Sequence, residues 1–142
     1  MVVQAIEKRS THDYLVNAGR MHEMQNEWIR YWRKNKIDFL IMPGFATEAQ
    51  AHGNSKDGSY LATYTYVFNL LKMTASSLPV TVTRADELHY ESDWQDPVTE
   101  LIRNNLKDSE GLPVSIQVIG LPFHEERVLG LSKKIESHFK FY

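Results

Sequence analysis

His22-Glu23 and His124-Glu125 each open like HExxH, the helical spacing that sets two imidazoles around zinc with a glutamate as general base. Neither pair completes the motif, because position 26 is Asn and position 128 is Val. The serines offer no better start. Ser76-Ser77 has no flanking glycine to leave bare backbone N–H groups for an oxyanion hole. Ser132-Lys133 are neighbours in the chain, and neighbours do not aim both tips at one reacting atom. Glu125-Glu126 stands at a helix start, where negative charge complements the dipole. No GxGxxG or GxxxxGK[ST] run occurs, so no glycine-rich turn is there to cradle phosphate. The chain has no cysteine, which excludes thiolate nucleophiles, disulfides and thiolate metal sites. By its own residues the sequence encodes no catalytic centre and no metal site, and no cofactor is expected.

The elements that would position any site are clearer. Ser10 to Asp13 has the pattern of a capping box, and Leu15, Met21, Met24, Trp28 and Trp32 follow mostly at spacings of three and four. That spacing predicts a helix from Ser10 to about Lys36 with an apolar stripe along it. The basic run Arg30 to Lys36 suits its C-terminus. "IDFLIMP" (37–43) is a near-continuous apolar run closed by Pro43 and Gly44, as expected of a strand buried on both faces. Residues 45–58 read as loop. Residues 59–75 are predicted helical, and 77–84 a strand with Pro79 near its start. Asp96, Pro97 and Gly111 bracket a helix to about Lys107. A third strand over 114–120 and a closing helix over 124–139 follow, with Val128, Leu129, Leu131, Ile135 and Phe139 on its inner side.

Helix and strand alternate throughout, which implies an α/β fold: three layers, a small mixed sheet of about three strands with helices on its faces, and right-handed crossovers between parallel strands. One domain over residues 1–142 is expected. Apolar residues at 42% and charged residues at 24% are those of a globular chain. A net charge of −2 gives no basic face for nucleic acid, so no nucleic-acid partner is expected. No apolar run reaches the ~20 residues of a membrane span, and "MVVQAIEKRS" has the wrong order for a secretory signal. A cytoplasmic setting is the default expectation.

Three blocks together resemble the carboxy-terminal part of the amidase signature family, on its fatty-acid amide hydrolase branch. "YWRKNKIDFLIMP" is similar to a helix-then-strand segment ending in D-x-L-x-x-P. "SYLATYTYVFNLLKMTASSLPVTVT" resembles the SYT-x-x-YN helix and PVT strand, with Tyr64, Thr65, Asn69, Ala75, Pro79, Val80 and Thr81 at matching positions. "GLPVSIQVIGLPFHEERVL" resembles the closing GLPV-x-x-Q strand, with Gly111, Pro113 and Gln117 matching as structural residues. The family's P-A-G becomes Thr74-Ala75-Ser76 here.

The resemblance implies a partial amidase-signature fold and a parent reaction that hydrolyses lipid amides without a cofactor. It also implies an acyl channel lined at Ser59, Ala62 and Tyr66, and a lipid amide or fatty acyl ligand. The family's Ser-Ser-Lys centre, carried on a glycine-serine run, has no counterpart among these residues, so this chain alone is expected not to turn over. Expected partners are the amino-terminal amidase portion or a second copy of the chain, and the family makes peripheral membrane association an expectation. The alternative reading is a non-catalytic α/β module that binds an apolar ligand or a protein partner. Gln117, an amide in an apolar strand, is expected to tie backbone segments together.

Overall fold

The computed structural model describes residues 10–139 and 141. These fall into two compact units, one ending at Ile37 and one beginning at Asp38.

The first unit is a single long helix, α1 (Thr11–Lys34). The capping box forms as its sequence requires: Asp13 N–H donates to Ser10 Oγ at 3.1 Å, and Ser10 N–H donates to the Asp13 carboxylate at 3.2 Å. The helix ends two residues before the expected Lys36. Lys36 takes a left-handed conformation (φ 53°), its N–H bonds Arg33 O, and Ile37 N–H bonds Trp32 O. This paired closure is a Schellman motif with lysine in the position glycine usually fills. The apolar stripe does not run the whole length, because Leu15 and Met24 are exposed while Trp32 is buried. Trp28 and Trp32 approach ring to ring at 6.5 Å.

The second unit is built on three strands, β1 (Leu40–Pro43), β2 (Thr74–Val82) and β3 (Pro113–Gly120), in the order β1-β3-β2. β3 is antiparallel to both neighbours. β1 and β2 therefore run the same way, as the alternation of elements implies, but they do not touch. The third strand is inserted between them, so no parallel pair is hydrogen-bonded. The prolines account for this order. Pro79 lies in the middle of β2, at a register irregularity between Pro79 and Thr81, and a proline there is tolerated only at an edge or a bulge. β1 is four residues long and closes on Pro43. Only β3 can fill the centre, and its Val118 and Ile119 are fully buried.

Helices cover both faces. α5 (Glu125–Phe139) lies over the face that carries Ser76 and Val118, and Ser76 Oγ meets Ser132 Oγ at 2.5 Å. Contact here is close enough to demand glycine: a Cβ on Gly120 would sit 2.7 Å from Val128 Cγ2. The inner row of α5 is Val128 and Ser132, with Leu131 and Ile135 half-buried. Leu129 and Phe139, expected on that side, are exposed. Leu129 is turned about 100° round the helix from Val128, and Phe139 is the last residue of the helix.

α3 (Thr63–Leu70) covers the opposite face, preceded by the short helix α2 (Ser55–Gly58) and a 3-10 turn at Ser59–Ala62. The helix expected to reach Ala75 stops at Leu70. Lys72 is left-handed (φ 52°), its N–H bonds Asn69 O, and Met73 N–H bonds Phe68 O. Thr74 to Ser76 then pair with Gly120 to Val118 and belong to β2. Sheet pairing satisfies those backbone groups in a segment whose length and lack of internal turn residues point to helix, although its aromatic and β-branched content favours strand.

α4 (Pro97–Leu106) follows the expected boundaries. Asp96 caps it, accepting from Val98 N–H at 2.9 Å and from Thr99 N–H at 3.1 Å. The incoming connector is gathered by Arg103, whose guanidinium donates to the carbonyls of Tyr90, Ser92 and Trp94.

Two consequences can be measured. Lys72→Gly removes left-handed strain from a β-carbon-bearing residue and should stabilise the chain by about 0.5–1 kcal/mol, seen as a higher urea midpoint at unchanged slope. The Thr99 hydroxyl and the Thr99 and Val98 N–H groups hold the Asp96 carboxyl below the ordinary carboxylate range. A lowered folded-state pKa stabilises above the unfolded value and is lost as pH falls through the folded one. Thermal melts of Asp96→Ala should therefore lie below the parent at pH 7 and converge with it as pH falls below the ordinary carboxylate range.

Candidate functional site

β3 brings the chemistry-bearing residues together because its two faces open on different neighbours. Gln117 points to the α3 face and is 4% exposed. Its Nε2 donates to Pro43 O at 2.9 Å and to Tyr64 O at 2.8 Å. One amide thus joins the end of β1, the middle of β3 and the first turn of α3. The Pro43 carbonyl closes β1 just before Gly44, whose N–H donates to Ser115 O at 3.1 Å.

Gly44 lies close to Ser77, 3.7 Å from its Oγ to the position of a glycine Cβ. The sequence shows no glycine beside Ser77; the fold supplies one from 33 positions away. No base accompanies it. Ser132 Oγ donates to Val128 O at 2.9 Å, so its oxygen receives the Ser76 proton, and that two-hydroxyl chain ends on a backbone carbonyl. Among the described side chains no serine is hydrogen-bonded to a lysine or histidine. A hydroxyl without a base stays a weak nucleophile at neutral pH.

Between the loop after β1 and the β2–β3 edge lies a cleft of about 910 Å³. Its apolar wall includes Phe45, Leu106 and Val114, and hydroxyls of Ser77, Thr81 and Ser115 border it. The loop is tied to α4 by Asn54 Nδ2 donating to Asn105 Oδ1 at 3.2 Å. Glu48 and Gln50 line this cleft, and Glu48 is 8% exposed. Glu48 Oε1 and Gln50 Nε2 are buried without a hydrogen-bond partner. Sequence reading passed over both, taking 45–58 as plain loop. The one available signal was an acid and an amide, Glu48 and Gln50, set among Phe45, Ala46, Ala49 and Ala51. A smaller cavity of about 200 Å³, lined by Gln117, Asn69 and Thr65, adjoins at Gly44 and Ser77.

The residues singled out for a channel share one helical face. Ser59 and Ala62 lie on the 3-10 turn and Tyr66 on α3, and Tyr66 Oη donates to Ser59 O at 2.8 Å. Tyr66 is 52% exposed, and none of the three borders either cavity. Gly111 follows α4 with φ +77°, a value suited to glycine, and its N–H donates to Thr83 O at 2.9 Å. Pro113 begins β3 opposite Val82 and borders the larger cleft.

The three sequence blocks quoted above supply all three strands: β1, then α3 with β2, then β3 with the start of α5. A family model described as Amidase matches residues 2–129. The chain belongs to the amidase family. It is 30% identical over 131 residues to the fatty-acid amide hydrolase 1 of Sus scrofa, covering 84% of this chain and 22% of that protein. It is 26% identical over 139 residues to the fatty acid amide hydrolase 1 of Caenorhabditis elegans, covering 96% of this chain and 24% of the relative. A solved fatty acid amide hydrolase superposes with a TM-score of 0.70 at 19% identity, over 94% of this chain and 24% of that one, which shows a shared fold. The chain therefore spans about a quarter of the length of the relatives it matches.

Gln117 lines the smaller cavity and bonds the Pro43 carbonyl at the edge of the larger one. Gln117→Leu keeps the volume but removes both amide bonds and leaves the Pro43 carbonyl without this donor, and should cost about 1–3 kcal/mol in chemical denaturation.

Proposed function

We propose that this chain is the carboxy-terminal portion of a fatty-acid-amide-hydrolase-like serine amidase. The parent reaction adds water across the C–N bond of a lipid amide and releases a fatty acid and an amine. This portion supplies part of the sheet and part of the acyl-binding wall, and does not catalyse the reaction alone.

The observation that carries this reading is the alignment: nearly all of the chain matches the fatty acid amide hydrolases, and it accounts for about a quarter of them. The internal chemistry agrees with it. Ser76 hands its proton towards a carbonyl rather than a base. Ser59, Ala62 and Tyr66 contribute the channel wall in this reading, and their shared helical face is what a wall element needs. The amino-terminal amidase portion completes the site and brings the nucleophile.

A second reading, a binding module without turnover, draws its support from the cleft of about 910 Å³, which is within the size range of small-molecule sites.

A fluorophosphonate probe separates competence from ancestry. The isolated chain should show no covalent mass shift and no saturable cleavage of oleamide. A stoichiometric adduct on any serine would defeat the proposal of a non-catalytic portion.

A further inference from the structure

The larger cleft holds a charge imbalance that its own residues do not resolve. Two carboxylates border it, Glu48 and Glu87, and no lysine, arginine or histidine does. Glu87 is accounted for: the Arg84 guanidinium lies 2.8 Å from its Oε1, and Arg84 N–H donates to Oε2 at 3.0 Å. Glu48 is not. It is more than nine-tenths buried, it forms no ion pair among the described residues, and its Oε1 has no hydrogen-bond donor. A buried carboxylate without a donor or a counter-charge is costly, and the cost falls when a cationic or N–H group reaches it. The terminal torsion of a glutamate is broad, so a small rotation turns the shielded oxygen towards an incoming group.

Part of the remaining lining suits the body of that group, beside the hydroxyls of Ser77, Thr81 and Ser115. Phe45, Leu106, Pro113 and Val114 give it an apolar wall, and the opening is large enough for a chain of several methylenes. Gln50 Nε2, also without an acceptor, lies two residues from Glu48. It would receive a carbonyl or hydroxyl oxygen carried next to the cation.

We propose that this cleft is a binding site for an amphiphilic primary amine, with Glu48 as the anchor of its ammonium and the Phe45–Val114 wall holding its hydrocarbon. The site lies apart from the face of Ser59, Ala62 and Tyr66. Its occupation requires no turnover by this chain, so its test is independent of the fluorophosphonate experiment.

Octylamine, 1-octanol and octanoate share a tail and differ in head group. Titrated calorimetrically into the purified chain at pH 7, octylamine should bind at least about tenfold more tightly than octanol, as expected of a charge-assisted bond to a buried carboxylate. Octanoate should bind more weakly than either. Glu48→Gln, nearly isosteric, should bring octylamine down to the affinity of octanol. Glu87→Gln, whose carboxylate is already paired, should leave the preference in place. Equal binding of octylamine and octanol to the parent chain, tighter binding of octanoate, or no binding of octylamine would each overturn the proposal. The head-group preference of the unaltered chain needs no variant, so a folding defect in Glu48→Gln leaves the test intact.

Discussion

The burial of β3 on both faces is the constraint from which the second unit follows. A strand with Val118 and Ile119 completely withdrawn from water has to be flanked by two others and covered by two helices. Once it is central, β1 and β2 become edges, the proline of β2 becomes tolerable, and α5 and α3 must lie on opposite faces. Gln117 is the polar exception in that strand, and the fold uses it. Its amide holds together the carbonyls of β1 and α3 that would otherwise end in apolar surroundings.

Close packing and polar satisfaction work against each other on the α5 side. Gly120 lets Val128 come near the sheet, while Ser76 and Ser132 place two hydroxyls in the same layer. The pair resolves its hydrogen bonding internally through the Val128 carbonyl. In that arrangement the Ser76 proton has a neutral acceptor.

The cleft on the other side has the opposite character. Its walls come from the loop after β1, the β2–β3 edge and α4, so it exists only when all three are in place. Its polar groups are incompletely satisfied, with Glu48 and Gln50 both carrying buried atoms without partners. Such atoms are uncommon in folded chains. Membership of the amidase family sets this cleft in a chain that spans about a quarter of its relatives' length.

Local sequence was sufficient for what depends on local chemistry. The Ser10–Asp13 box, the Asp96-Pro97 start of α4 and the positions of the three strands were legible because caps and apolar runs act within a few residues. The three blocks were enough to indicate the family for the same reason, each being a contiguous stretch. Tertiary structure decided what depends on which strands meet. It ended α3 at Leu70 and gave Thr74–Ser76 to the sheet, inserted β3 between two parallel strands, and turned Leu129 and Phe139 outwards. It also brought Gly44 to Ser77 and left Glu48 without a partner. Pairing and burial between residues dozens of positions apart carry no periodic mark in the chain, so only the folded arrangement could reveal them.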